Sequence, residues 1–500
     1  MKDVVGGVLE AAARSPLAVA MIDGRGRELT YGALRRHVEA AAAAMTGSRG
    51  GLRPGDGVLF AVRPGPDAVT LALGAVAAGG MLVLADPGLA PDVAAGRLAL
   101  TRPSWVVADS LVYALSGPLR RLARRRGLSL PHLRDPVPGS PVRHLYAGPW
   151  LPGVPRGAVS LRAVRRRAVS PYGGPPEATD QPAVVAFTSG TTGRPRGVVH
   201  TRGSLAEGAS LFRQVIPLGP GDVVHTDQLM VGLPALMAGA TWSLPGPLPF
   251  AEEVAARRAT HAFCVPVRLD AELRRTPALP PTLRCLLLGT APSPPAVLRR
   301  ARAAAPDAEI WSVYAMTEAL PIAIASAEEK LACREGDLLG APLPGVAVRI
   351  AEDGELHVSG PQLALGYLGE APLGEVATGD LARIDGQGRL VLLGRKKDMI
   401  LRDGVNIYPG LYEPAIGALP GVAEAAVVGI EDPETGDEEV VLAVVADEGF
   451  DAARLRKELP RIMDAGALPD RVAVVEGFPR AGRTDKLDRA SLRDLLRQGR

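Results

Sequence analysis

Alternation between helical and strand-like runs over the first 180 residues is the feature that most limits the folds open to this chain. Thr30 stands before Tyr31-Gly32-Ala33-Leu34, a run that leads into the alanines at 40–44. A threonine there caps a helix by accepting an amide that the first turn leaves free. Gly55-Asp56 then turns the chain into Val58-Leu59-Phe60-Ala61-Val62, an uncharged run of strand length. Residues 68–85 are eighteen positions without a charge, but Gly74, Gly79 and Gly80 interrupt them. They read as a helix, a break and the buried strand Met81-Leu82-Val83-Leu84, not as a membrane span. This alternation predicts an α/β fold, with mixed, mostly parallel sheets layered with helices.

From about residue 398 the chain restarts as a small α+β unit. Strands are expected at 425–430, 440–445 and 472–476, with a helix near 451–463. At about 100–200 residues per domain, 500 residues allow two to four structural units. Residues 136–182, rich in Pro, Gly and Arg and weakly periodic, read as a long surface connection.

Composition excludes several function classes. A net charge of +3 with 4% aromatics leaves no strong footprint for nucleic acid. The runs Arg124-Arg125-Arg126 and Arg165-Arg166-Arg167 read as solvated helix faces, because no aromatics interleave with them. Cys264, Cys285 and Cys333 form no CxxC pair, which argues against a disulfide framework and fits a reducing compartment. The first residues, MKDVVGGVLEAAARSP, lack the basic-then-apolar order of a secretory leader and read as a short amphipathic helix. A cytoplasmic protein is expected. Lysine is scarce: only Lys2, Lys330, Lys396, Lys397, Lys457 and Lys486 occur among 57 basic residues. A flexible ammonium kept in a chain that otherwise uses Arg marks positions where a guanidinium would not serve.

The most informative segment is Val184-Val185-Ala186-Phe187 followed by Thr188-Ser189-Gly190-Thr191-Thr192-Gly193-Arg194-Pro195-Arg196-Gly197. An apolar strand runs into ten residues that hold four hydroxyls, three glycines and two arginines. Glycines let backbone N–H groups converge on an anion, hydroxyls add donors, and Arg adds charge, so a polyphosphate is the natural ligand. The GxxxxGK[ST] phosphate-loop pattern is not met.

This segment resembles the signature loop of the adenylate-forming superfamily, which includes acyl-CoA synthetases, peptide-synthetase adenylation domains and luciferase. Arg196 stands where that family usually carries Lys. Four further stretches match in order. Tyr314-Ala315-Met316-Thr317-Glu318 resembles YGxTE, with Ala315 in place of Gly; Thr378-Gly379-Asp380 resembles the TGD motif; Gly394-Arg395-Lys396-Lys397-Asp398 resembles the hinge; and Asp485-Lys486-Leu487-Asp488-Arg489 resembles GK[IL]DR, with Asp485 in place of Gly.

The resemblance implies the following roles. Thr188, Ser189, Gly190, Thr191, Thr192, Gly193 and Arg196 hold the phosphates; Tyr314, Gly289 and Ala291 border the adenine; Asp380 and Arg395 take the ribose. Thr317 meets the α-phosphate, Glu318 binds Mg²⁺, and Lys486 is catalytic. A large domain 1–396 and a small mobile domain 397–500 would pivot at Lys397, with Gly404 lining a pantetheine tunnel in the second state. The implied cofactors are ATP and Mg²⁺, with coenzyme A or phosphopantetheine as acceptor. A small-molecule carboxylic acid is the implied substrate, with an acyl carrier protein as a possible partner.

His225, Gly232 and His261 are the sequence candidates for the acyl pocket, although each histidine reads equally well as structural. Asp227 does not fit the motif by which amino-acid-activating relatives pair an ammonium, so an unaminated acid is favoured. Two alternatives stand beside the ligase. Ala85-Asp86-Pro87-Gly88-Leu89, Thr317-Glu318-Ala319-Leu320-Pro321 and Tyr412-Glu413-Pro414 look similar to β-lactone synthetases, in which the substrate's own β-hydroxyl replaces the thiol. The departures at Arg196, Ala315 and Asp485 fit a non-catalytic nucleotide-binding relative.

Overall fold

The computed structural model describes residues 3–47, 51–85, 91–126, 128, 130–166, 178–188, 196–402, 405–431, 438–481 and 486–498. The chain divides into two compact units. One comprises Met1–Leu248, Thr317–Leu320 and Pro361–Gly374; the other comprises Pro249–Met316, Pro321–Gly360 and Glu375–Arg500.

The first unit is built on an eight-stranded sheet. Its strands run Gly366–Tyr367, Arg196–Thr201, Pro182–Thr188, Met81–Leu84, Gly57–Ala61, Trp105–Asp109, Arg143–Ala147 and Val159–Ser160 in spatial order. The last six are mutually parallel, whereas Arg196–Thr201 pairs antiparallel with both its neighbours. Val106, Val107 and Ala108 are fully buried, as parallel strands covered on both faces require. Val223–His225, Thr241–Ser243 and Val19–Ile22 add a parallel group, edged by the antiparallel Glu28–Thr30.

The expected helices and strands around Thr30 and the two glycines are present. Thr30 caps the helix Tyr31–Thr46 by accepting the Ala33 amide, and Pro66–Ala77 is followed by the strand Met81–Leu84. Residues 136–182 differ from expectation. Arg143–Ala147 is a strand with Leu145 and Ala147 buried, Val159–Ser160 extends the sheet, and Leu161–Arg166 is a helix. Five residues flanked by Pro and Gly carry too little periodicity to announce a strand. Their pairing with Trp105–Asp109 makes them one.

In the second unit, His261–Cys264, Cys285–Leu288 and Glu309–Met316 are parallel neighbours. An antiparallel sheet follows, ordered Asp337–Gly340, Leu390–Arg395, Val376–Ile384, Glu355–Ser359 and Ala347–Ile350. Beyond it, Val422–Glu431 and Glu438–Ala446 pair antiparallel, Arg471–Val475 joins in parallel, and helices Ala452–Ile462 and Arg489–Gln498 accompany them. The C-terminal elements expected from the sequence are thus all present, with ends within three residues of those expected. Among the described residues no helix is long and apolar enough to cross a membrane.

One buried ion pair ties the N-terminus to the strand that carries Arg196. Asp3 caps helix Val4–Arg14 by accepting the Val5 and Gly6 amides at 3.0 Å through Oδ1. Its Oδ2 takes the Arg202 guanidinium at 2.6 Å, and both side chains are 1% exposed. Arg202 opens the helix directly after strand Arg196–Thr201. Removing one partner of a buried pair strands the other charge away from water. Asp3→Ala should therefore destabilise the protein by about 3–5 kcal/mol, read as a lower urea midpoint at unchanged slope.

Candidate active site

In the second unit, the TGD segment and strand Leu390–Arg395 build one polar cluster. Asp380 faces Arg395 across the antiparallel pair Val376–Ile384 and Leu390–Arg395. Arg395 Nε lies 2.6 Å from Asp380 Oδ1, and the Tyr314 hydroxyl donates to Oδ2 at 2.6 Å. Gly379 takes a left-handed φ of +71°, a conformation that glycine adopts without strain, and its amide donates to Glu355 at 2.9 Å. Thr378 accepts the Asp380 amide through Oγ1 and donates to the Leu356 carbonyl, so the aspartate's backbone is fixed from both sides. Burial pushes the Asp380 carboxyl above the usual aspartate range, against the pull of Arg395, the Tyr314 hydroxyl and Lys486. Burial and the neighbouring Asp380 hold the Tyr314 phenol well above its ordinary value.

Lys486, 106 positions after Asp380, interacts electrostatically with Asp380 and Arg395. Partial burial and the adjacent Arg395 hold its ammonium below the usual lysine range, while Asp380 pulls it the other way. The residues that follow Lys486 explain how a terminal strand delivers it. Asp488 accepts the Ala490 and Ser491 amides at the start of helix Arg489–Gln498. Arg489 binds Glu413 at 2.7 Å and the Val427 carbonyl at 3.0 Å. Thus the Asp and Arg of the Lys-Leu-Asp-Arg run anchor the segment that carries Lys486. At the hinge segment, Lys396 is held by Asp353 at 2.6 Å and Glu355 at 2.8 Å, while Lys397 is exposed in the 3-10 turn Lys396–Asp398.

Gly289 follows strand Cys285–Leu288, and a Cβ there would press on the Phe263 ring and the Val313 carbonyl at 3.2–3.5 Å. The next residue, Thr290, is held at φ +66°, a conformation that non-glycine residues seldom keep without a reason nearby. Ala291 is half-buried beside it. His261 is buried in strand His261–Cys264, with Nδ1 2.9 Å from the Thr260 hydroxyl.

In the first unit, a second cluster surrounds Glu318. Its Oε1 accepts the Tyr367 hydroxyl at 3.0 Å, and its carbonyl accepts the Ala364 amide at 2.8 Å. The Arg196 guanidinium lies over the Tyr367 ring, 3.4 Å from its centroid, and Nη2 binds Glu370 at 3.0 Å. Burial and Glu318 together raise the Tyr367 phenol to about 12. The Thr317 carbonyl accepts from His200 Nε2 at 2.7 Å. His200 and Tyr367 were not legible as site residues, since a lone histidine in an apolar strand carries no motif. The apolar-pocket candidates of this unit have packing partners: His225 is buried with Nδ1 3.1 Å from the Ser243 hydroxyl, and a Cβ at Gly232 would collide with the Trp242 indole. The expected phosphate-loop residues Ser189, Gly190, Thr191, Thr192 and Gly193, the tunnel residue Gly404 and the Thr188 side chain lie outside the described residues.

A magnesium ion fits this donor set. Among the described residues no group of three or more His, Cys, Asp or Glu side chains is placed to hold a metal ion. Mg²⁺ held through one carboxylate and the substrate's phosphates needs no cage.

If Asp380 accepts the ribose hydroxyls, it must be ionised, and its raised pKa moves that requirement upward. ATP affinity measured by calorimetry should therefore fall with acidification at a pH above the usual aspartate value of 3.8. Asp380→Asn should remove this acid limb and weaken binding by about 10–100-fold, the loss expected for a charged hydrogen bond.

Comparison with known proteins places the chain in a family. Residues 8–368 match the family model described as AMP-binding enzyme, and residues 412–486 match its C-terminal domain. A 2-succinylbenzoate–CoA ligase of Bacillus velezensis is 30% identical over 63% of this chain and 69% of its own length. An indoleacetate–CoA ligase of Aromatoleum aromaticum is 31% identical over 68% and 73%. The structure of the amide bond synthetase McbA from Marinactinospora thermotolerans superposes with a TM-score of 0.80 at 27% identity, covering 99% of both chains. The chain belongs to the AMP-binding enzyme family, the adenylate-forming enzymes.

Proposed function

We propose that this protein is an AMP-forming acid–thiol ligase that acts on an unaminated small-molecule carboxylic acid. The observation that carries the reading is the electrostatic interaction of Lys486 with Asp380 and Arg395, because it relates the rare late lysine to the two residues expected to take the ribose. In the first half-reaction a carboxylate oxygen attacks the α-phosphorus of ATP and the bond to pyrophosphate breaks, leaving an acyl-adenylate. No covalent nucleophile is required of the protein; alignment and charge stabilisation suffice. Tyr314 and Asp380 hold the nucleoside, Lys486 and Thr317 meet the charge on the phosphate oxygens, and Arg196 serves the distal phosphates. Glu318 would hold a magnesium ion together with phosphate oxygens, and its charge would offset that of the polyphosphate.

In the second half-reaction a thiol attacks the acyl carbon and AMP leaves. Coenzyme A or the phosphopantetheine arm of a carrier protein would supply it, as the CoA-ligase relatives suggest. The two half-reactions would be separated by movement of residues 397–500 against 1–396 about Lys397. The separate matches at 8–368 and 412–486 bracket that boundary. His225, Gly232 and His261 remain the candidates nearest the acyl group, and Gly404 the candidate for the tunnel. Three free cysteines suit a reducing cytoplasm.

A second reading follows from the likeness to an amide bond synthetase: an amine would replace the thiol in attack on the same acyl-adenylate. Incubation with ATP, magnesium and mixed carboxylic acids, with coenzyme A, an amine or neither, followed by mass spectrometry, separates the outcomes. A thioester supports the ligase, an amide the second reading, and a lactone formed without either acceptor the cyclising alternative. Absence of pyrophosphate exchange from a protein that still binds ATP would leave a non-catalytic binder. Lys486→Ala should slow pyrophosphate exchange on the order of 10²-fold or more while sparing thioester formation from a supplied acyl-adenylate. Equal loss in both assays would contradict a lysine used in one half-reaction only.

A further inference from the structure

We propose that His200 and Tyr367 are positioning residues that fix the Thr317–Glu318 corner and select the Glu318 oxygen offered to the metal. The proposal rests on reading Glu318 as the magnesium carboxylate.

Strand Arg196–Thr201 sends alternate side chains to one face, so Arg196 and His200 share it. His200 is 2% exposed and therefore needs partners for both ring nitrogens. The Thr317 carbonyl can only accept, so Nε2 carries the proton across that 2.7 Å contact and Nδ1 is left to accept. Its donor is the Ser204 hydroxyl at 3.1 Å. Ser204 does not move freely, because it closes the capping box with Thr201 at the start of helix Arg202–Val215. A helix cap thus orients an imidazole, and the imidazole orients the carbonyl that precedes Glu318.

Tyr367 acts on the carboxylate itself. Its hydroxyl occupies Oε1 at 3.0 Å, and the Glu318 backbone is held separately by the Ala364 amide. Among the described residues Oε2 has no hydrogen-bond partner, so this oxygen is the one free to bind a cation. The ring of Tyr367 is itself fixed, with the Arg196 guanidinium stacked 3.4 Å from its centroid and held there by Glu370. Partners behind a metal ligand set its orientation, and their loss typically lowers metal affinity by about 10–100-fold.

Binding of Mn²⁺ in the presence of a non-hydrolysable ATP analogue, followed by electron paramagnetic resonance, reads this directly, and pyrophosphate exchange reads its consequence. Tyr367→Phe keeps the ring under Arg196 and removes only the hydroxyl. It should weaken Mn²⁺ binding about tenfold and raise the magnesium needed for half-maximal exchange by a like factor, with kcat recovering at saturating metal. His200→Leu should lower kcat about tenfold with little change in KM for the acid, and His200→Gln, which restores a donor near Nε2, should recover most of it. Glu318→Gln serves as the reference. If it weakens Mn²⁺ binding while Tyr367→Phe and His200→Leu bind and turn over as wild type, the positioning roles are overturned and the magnesium assignment stands. If Glu318→Gln itself binds Mn²⁺ as wild type, the assignment fails and takes this proposal with it. Failure of His200→Leu to fold leaves Tyr367→Phe and His200→Gln as the deciding variants: loss of metal binding in the first with recovery in the second supports the proposal, and wild-type metal binding in the first overturns it.

Discussion

A carboxylate withdrawn from water must be supplied with donors, and each of two carboxylates singled out by the motifs receives a tyrosine hydroxyl. Tyr314 supplies Asp380 in one unit and Tyr367 supplies Glu318 in the other. The chain has only eight tyrosines, so the coincidence is not a by-product of abundance. A neutral donor leaves the carboxylate charged and able to bind a ribose or a cation, whereas a full ion pair on every oxygen would leave nothing to offer. Asp380 shows the balance: Arg395 adds charge beside it, yet burial still lifts its pKa.

Arg196 illustrates how a substitution within a motif is absorbed by its surroundings. A lysine ammonium is a compact point charge, whereas a guanidinium is planar and can stack on an aromatic face while its edge donates to a carboxylate. Arg196 does both, on Tyr367 and Glu370. The contacts match the group's shape, so the replacement is accommodated with its charge retained. Glu370 meets the guanidinium through one contact, Nη2 to Oε2 at 3.0 Å.

Much of the architecture was legible because it rests on local patterns. Thr30 before an amphipathic run, two glycines before Met81-Leu82-Val83-Leu84, and the strands at 425–430 and 440–445 each declare themselves within a few residues. The strand Arg143–Ala147 did not, since five residues between prolines and glycines hold too few alternations to set a period. At the site, the motifs named Tyr314, Glu318, Asp380, Arg395 and Lys486 because their residue types are unusual where they stand. The closeness of Gly232 to the Trp242 indole, which leaves no room for a Cβ, was not announced by any local pattern.

The sequence by itself determined the α/β layering, the phosphate-loop composition, and which rare lysine ends in a Lys-Leu-Asp-Arg run. Those are properties of spacing and residue type along the chain. Only tertiary structure decided that His200 would grip the Thr317 carbonyl, that Tyr367 would reach Glu318 from 49 positions away, and that Asp3 would bury itself against Arg202. Hydrogen bonds between distant residues depend on where the backbone carries their atoms to within a few tenths of an ångström, and no local pattern encodes that distance.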